Sequence, residues 1–405
     1  MKQIIFYTIY FYYLLYTFLP LRVAYYPSFF LVILGLVFFF RRISAKGIRT
    51  IDLMVMLICF VYPVYGSFAS LYYYDQPFFY GLASYRGLWS LFLVYFFAEF
   101  YSSKEIIRMA LSVSLIGAFI SLILLYGANI DNTILYQYLP QRSDIELIDR
   151  SPSMSVIRGR RMTFFCHRFS VFLCISYLIH LLAWKKKRLY SIATLSFLLL
   201  YIVFCFKGRI FLLGSVIVLF LSVLQVKKVA QLRFVLILII SLVGVSFFLK
   251  YEYLIQDLMT TDVSVDLDYS GYARSRSLNA AISTFMDHPF GIGNISYRFN
   301  DGFTGIFGHS VYISDIGFGG ALLCGGLVLA AIYFMIYRFF LKTLYSPASQ
   351  LSNLEKTTYK PIVISMIILG FVGYDIFYLT NGYLLAILFF PFVKERGNSG
   401  FGHSA

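Results

Sequence analysis

Runs of 16 to 22 apolar residues recur along the whole chain, and they restrict its folds more than any other feature. About 20 apolar residues cross a bilayer core as a helix, where every backbone polar group must be satisfied internally. The runs do not alternate and are too long for strands of a membrane barrel. Composition agrees: 60% of the 405 residues are hydrophobic, 20% aromatic and only 13% charged. The reading is an all-α polytopic membrane protein, a single integral membrane domain over 1–405. About twelve spans are expected, near 4–20, 23–40, 51–71, 87–100, 106–127, 166–184, 189–206, 210–226, 234–249, 314–336, 361–376 and 381–393. The first run reads as a retained helix, because Lys2 alone precedes it and no small-residue cleavage site follows. Cys59, Cys166, Cys174, Cys205 and Cys324 lie in or beside apolar runs without metal-ligand spacing, as small buried hydrophobes do.

The net charge of +15 would point to nucleic acid in a soluble protein. In a membrane chain the position of each charge carries the information, and no nucleic acid partner is implied. Arg41, Arg42, Lys46 and Arg49, then Lys185–Arg188, Lys227, Lys228 and Arg233, then Lys356 and Lys360, mark one side. Placing them in the cytoplasm puts both termini there. That arrangement leaves 12 of 14 lysines inside but 12 of 20 arginines outside or at the outer boundary. The guanidinium differs from the ammonium by its rigid fork of donors, which grips phosphate oxygens in pairs. Anion binding is one source of the bias; pairing with loop acids such as Asp144, Glu146 and Asp149 is the other.

Two outward loops are long enough to fold over the membrane. The first, 128–165, carries Arg142, Arg150, Arg158, Arg160 and Arg161. The second, 250–313, opens with the acidic stretch TTDVSVDLDYS and continues into GYARSRSLNAAISTFMDHPFGIGN. Within it, Ser275 to Asp287 reads as a helix with an apolar face of Leu278, Ala281, Ile282 and Phe285. Pro289 ends that helix, and Gly291 and Gly293 permit a sharp turn or close backbone approach. Arg274 and Arg276 stand at its expected start, where free amides and guanidinium groups converge on an anion. Arg209, in the Lys-Gly-Arg turn between two runs, either snorkels to headgroups or points inward to the loop arginines. His309, followed by Asp315 and Gly317, is either a proton acceptor for a hydroxyl or an interfacial histidine satisfied by a backbone carbonyl. Neither a metal-ligand cluster nor a phosphate-binding Gly-Lys-Ser loop is present in the sequence, so no cofactor is expected.

Arg274, Arg276, the helix after them, His288-Pro289-Phe290-Gly291-Ile292-Gly293, and then His309-Ser310 with Tyr312 and Gly317 resemble the C-terminal signature of the O-antigen polymerase and O-antigen ligase superfamily. The Lys-Gly-Arg turn ending at Arg209 resembles that family's arginine at the outer end of a middle span. The resemblance covers about residues 190–335. It implies a GT-C-like fold in the cell inner membrane and block transfer of an oligosaccharide from undecaprenyl diphosphate to an acceptor hydroxyl. By that likeness Arg209 and Arg274 or Arg276, with Arg158, Arg160 and Arg161 as further candidates, hold the diphosphate, and His309 positions or deprotonates the acceptor. The partners implied are the lipid-linked glycan donor and acceptor, membrane lipids, a chain-length regulator and a flippase. The ligase branch has His-Asn where this chain has His309-Ser310 and an aromatic residue in place of Leu278, so a polymerase is the nearer expectation. The alternatives are a ligase acting on lipid A core and a flippase; a flippase would place its basic residues within the spans.

Overall fold

The computed structural model describes residues 2–15, 21–128, 168–184, 188–206, 209–225, 269–296, 298–309, 311–373 and 382–394, and all of its regular structure there is helical. The helices are α1 (Lys2–Leu15), α2 (Leu21–Lys46), α3 (Thr50–Tyr74), α4 (Phe78–Ser84), α5 (Leu93–Phe100), α6 (Ser103–Gly127), α7 (Arg168–Ala183), α8 (Arg188–Leu200), α9 (Arg209–Gln225), α10 (Tyr269–Asp287), α11 (Phe303–Phe307), α12 (Phe318–Tyr345), α13 (Asn353–Val372) and α14 (Gly382–Val393). A 3-10 stretch, Arg86–Phe92, leads into α5.

The expectation of about twelve spans in a GT-C-like layout is corrected here. Among the described residues, only four helices are both long and apolar enough to cross a membrane: Tyr26–Lys46, Thr50–Tyr74, Ser103–Gly127 and Phe318–Tyr345. Phe169–Ala183, Arg188–Val203, Ile210–Gln225 and Gly382–Val393 are apolar but shorter. The run expected at 234–249 lies outside the described residues. Apolar composition reports burial without saying whether lipid or protein does the burying. Every residue of α14 is buried by protein, and its 12 residues rise only about 18 Å. Central α7 is likewise enclosed, packing against α6, α8, α9 and α13, with Phe169, Leu173, Cys174, Ile175 and Leu178 all fully buried. Both are apolar on all sides because both are core helices.

One end of the bundle is stitched by helix termini. Ser102 and Glu105 form a reciprocal cap at the start of α6, and Ser352 and Glu355 do the same for α13. The Ser103 hydroxyl donates to the Glu355 carboxylate, tying these two starts together. Fully buried Asp52 accepts from the Arg42 guanidinium at 3.2 Å, the Arg49 amide at 2.9 Å and the Tyr95 hydroxyl at 2.9 Å. Arg49 also donates to the Val393 carbonyl at 3.0 Å, and Lys394 to the Ala98 carbonyl. Tyr101 donates to the Lys2 carbonyl, so Lys2 and Lys394 lie at this same end.

Two long helices are interrupted, and each break is repaired from elsewhere. In α3 a π-helical turn covers Leu57–Val61, and Pro63 follows it. Proline has no N–H for the carbonyl four residues back. The Cys59 carbonyl is instead capped by the Trp89 indole at 2.9 Å. The second break, in α12, builds the site described next.

Candidate functional site

At the end of the bundle away from Lys2 and Lys394, the chain from His288 to Gly317 lies over α3, α10 and α12. Its foundation is a backbone exchange. α12 breaks at Gly326, whose φ of 52° and ψ of −142° belong to glycine alone. In an unbroken helix the Leu327 amide would pair with the Leu323 carbonyl, and the Val328 amide with that of Cys324. Here Leu327 donates to the Pro289 carbonyl at 2.9 Å, while Ile292 and Gly293 donate to Leu323 and Cys324 at 3.0 and 2.8 Å. A non-helical segment is thereby buried among helices with its polar groups satisfied, the condition under which irregular backbone survives in such surroundings.

Glycine is required on both sides of this exchange. Gly291 and Gly293 have φ of +82° and +79°. A Cβ on Gly291 would meet the Gly326 amide at 2.5 Å, and one on Gly293 would meet the Ser70 amide of α3 at 2.7 Å. From Gly293 onward the chain is held by α3 and the segment after it. The Gln76 side chain donates to the Asn294 carbonyl at 3.1 Å and accepts from the Ser296 amide at 2.7 Å. The Asn294 amide donates to the Tyr85 hydroxyl at 3.1 Å. Tyr65 donates to the Phe290 carbonyl, and the His288 ring packs at a tilt against Tyr73 with ring centres 4.5 Å apart.

α10 packs along α12 and ends at Asp287, just before Pro289. It begins at Tyr269, six residues before the expected Ser275, so Arg274 and Arg276 stand inside the helix and not at its start. Of its apolar face, Ala281 is buried while Leu278 and Ile282 are exposed, and Ser277 and Thr284, outside that face, are buried. The hydroxyls of Ser277 and Thr284 satisfy themselves on the carbonyls of Ala273 and Ala280, which lets a polar stripe pack inward.

This rotation separates the two arginines. Arg274 is half-buried beside Ser277, whereas Arg276 is exposed. The Arg274 Nε lies 4.0 Å from the Asp315 carboxylate, and that buried nitrogen makes no hydrogen bond among the described residues. Ser277 accepts from the Tyr312 amide at 3.1 Å, fastening the segment after His309 to α10. The backbone of Asp315 faces Gly373 at the end of α13, where the Ile210 side chain also arrives. The Ile210 side chain, at the start of α9, thus comes close to the Asp315 backbone.

His309 follows α11 and packs at a tilt against Phe307, with ring centres 6.1 Å apart. Its Nδ1 is 2.7 Å from the Phe307 carbonyl. A carbonyl only accepts, so Nδ1 carries the proton; in the neutral ring Nε2 then presents a lone pair. That Nε2 is buried and has no partner among the described residues. Arg274 Nε, paired only at ion-pair distance with Asp315, and His309 Nε2 are thus two buried polar atoms without a hydrogen bond among the described residues. Arg158, Arg160, Arg161 and Ser310 lie outside the described residues. Among the described residues no three of His, Cys, Asp and Glu gather as a metal site would need.

Sequence reasoning passed over Gln76, Tyr85, Ser277 and the Gly325-Gly326 pair. Only the glycine pair leaves a local mark, a doublet of poor helix formers inside an apolar run. The other three act across 35 to 220 positions of sequence separation, and nothing nearby identifies them.

Large apolar side chains stand exposed on the outside of the bundle, among them Phe30 of α2, Phe119 of α6 and Phe334 of α12, as lipid-facing residues do. Together with the four long apolar helices they define a multi-pass, largely helical membrane protein. No family model, curated protein or solved structure matches the chain.

Proposed function

We propose that the protein joins lipid-diphosphate-linked oligosaccharide repeat units into a surface polysaccharide at the site formed by Arg274, His309 and the start of α9. The observation that carries this reading is two buried nitrogens without hydrogen bonds among the described residues: a guanidinium nitrogen on Arg274 and an imidazole acceptor on His309 whose tautomer is fixed by the Phe307 carbonyl. In the reaction a hydroxyl of the acceptor sugar attacks the anomeric carbon of the donor glycan. The new C–O bond forms as the bond to the diphosphate oxygen breaks, and undecaprenyl diphosphate leaves. The hydroxyl proton passes to His309 Nε2. Negative charge grows on the leaving oxygen, where a guanidinium held in place in advance stabilises the transition state more than the ground state. Asp315 sits close enough to orient Arg274 without forming a tight pair. Arg276, exposed on the other side of α10, has no part in this arrangement.

The test is chain growth by purified protein supplied with lipid-linked repeat units. The wild type and Arg276→Ala extend the chains. Arg274→Ala and His309→Ala, at equal protein level, lose at least about a hundredfold in rate, the scale of a lost general base or oxyanion donor. No extension by the wild type, transfer only to lipid A core, or translocation without a new bond overturns the reading. So does full activity in both Arg274→Ala and His309→Ala.

A further inference from the structure

At the opposite end of the bundle from the His288–Gly317 segment, a cavity of about 790 Å³ opens between α6, α7, α8 and α13. Its rim is basic and aromatic: Lys104 and Arg108 from α6, His180 and Trp184 from α7, and Tyr190 from α8. Leu111 and Ser112 of α6 and Tyr177 of α7 line it further from those helix ends, and Leu181 and Leu354 add apolar wall beside the rim.

The charge of this cavity is unbalanced. Lys104 and Arg108 are one helical turn apart on the same face of α6, a like-charge spacing that costs a helix stability unless something offsets it. Among the described residues neither has a carboxylate within salt-bridge distance. Glu105, the nearest acid in sequence, caps Ser102, and Glu355, which packs at this end, caps Ser352 and accepts from Ser103. Three of the four helices begin at this end, α6 at Ser103, α8 at Arg188 and α13 at Asn353, and each directs the positive end of its dipole toward it. Two basic side chains and three helix starts thus face one space with no acidic residue in its lining.

We propose that this cavity binds the headgroup of an anionic phospholipid, with the phosphate between Lys104 and Arg108 and the first part of an acyl chain along Leu111 and Leu181. A free phosphate would satisfy the charge but leave the apolar portion facing water. A lipid satisfies both, and the exposed rings of Trp184 and Tyr190 are of the amphipathic kind that sits at the headgroup level. His180 does not compete for the phosphate through Nδ1, which is engaged by the Thr357 hydroxyl at 2.7 Å.

The experiment titrates the detergent-purified full chain with phosphatidylglycerol or phosphatidylcholine in mixed micelles and reads retained lipid by native mass spectrometry. Phosphatidylglycerol should be retained in preference to phosphatidylcholine, and millimolar inorganic phosphate should not displace it. Lys104→Gln with Arg108→Gln should weaken phosphatidylglycerol retention about thirtyfold, the equivalent of about 1 kcal/mol for each basic side chain removed. Lys342→Gln, outside the cavity, should change nothing, and a melting temperature matching the wild type checks the fold of each variant. Equal retention of the two lipids, displacement by phosphate, or an unchanged affinity in the folded double variant overturns the proposal. Should the double variant fail to fold, Lys104→Gln alone must still weaken retention severalfold.

Discussion

Replacing Gly326 by alanine isolates what the break in α12 contributes. Two effects arise from one methyl group. The first is conformational: φ of 52° with ψ of −142° is a glycine region, and a side chain there costs about 1–3 kcal/mol. The second is steric: the new carbon would fall inside the van der Waals contact distance of the Pro289 carbonyl oxygen, the Phe290 carbonyl carbon and the Gly291 amide. All three are backbone atoms and cannot swing aside, so the 289–293 segment must lift. Lifting it breaks the bonds from Leu327 to Pro289, Ile292 to Leu323 and Gly293 to Cys324. At about 1 kcal/mol net for each, this adds about 3 kcal/mol. Gly47 supplies the control. Its φ is +76°, yet a Cβ there meets nothing within 4 Å, so Gly47→Ala carries strain alone. Thermal unfolding of the detergent-purified protein should show Gly326→Ala melting about 6 °C below Gly47→Ala, at about 2 °C per kcal/mol. Hydrogen exchange should show the Ile292 and Gly293 amides opening in the first variant and not in the second. If the two variants melt together and those amides stay protected, the three-bond exchange does not hold the segment.

Gln76→Leu should act on the same segment from the α3 side. It strands the Asn294 carbonyl and the Ser296 amide, at about 1–3 kcal/mol each, and exchange at Ser296 should rise by at least about tenfold; an unchanged rate there refutes the role. Asp52→Asn should destabilise the other end of the bundle by about 2 kcal/mol, below the range for a fully buried pair because Arg49 remains 30% exposed. Thermal unfolding checks it, and a melting temperature equal to the wild type would show that the carboxylate charge is dispensable.

The sequence conveyed local features of this region better than distant ones. The end of α10 was legible because Pro289 constrains its own neighbour, a one-residue effect. Its start was not, because the acidic stretch before Tyr269 resembles a loop and carries no periodicity. The side of α10 that packs on protein was not legible for a related reason. Hydrophobic spacing selects Leu278 and Ile282, but Ser277 and Thr284 go inward by satisfying their hydroxyls on their own helix. The span count failed on a different point: a membrane protein can be apolar within its protein core as well as toward lipid, and α7 and α14 are enclosed by neighbouring helices. The side-chain placement of the two arginines follows from that rotation of α10. No reading of ARSRS alone separates them, since both lie in the same short polar stretch.

The two ends of the bundle handle their unsatisfied backbone groups differently, and this bears on where chemistry can sit. At the Lys2 end, side chains cap the helices, so the backbone there is regular and the acidic groups are largely committed. At the other end, backbone caps backbone: the 289–293 segment completes α12, and Gln76 and Tyr85 complete the segment. Because main chain does the structural bonding there, nearby side chains are released from it. Arg274 and His309 retain nitrogens without hydrogen bonds among the described residues, in a region whose scaffold is nonetheless fixed on three helices. A site that must hold polar groups in place without neutralising them needs such an arrangement. The glycines at 291, 293 and 326 therefore belong to the same device as the two side chains, though none of the three can touch a ligand through a side chain of its own.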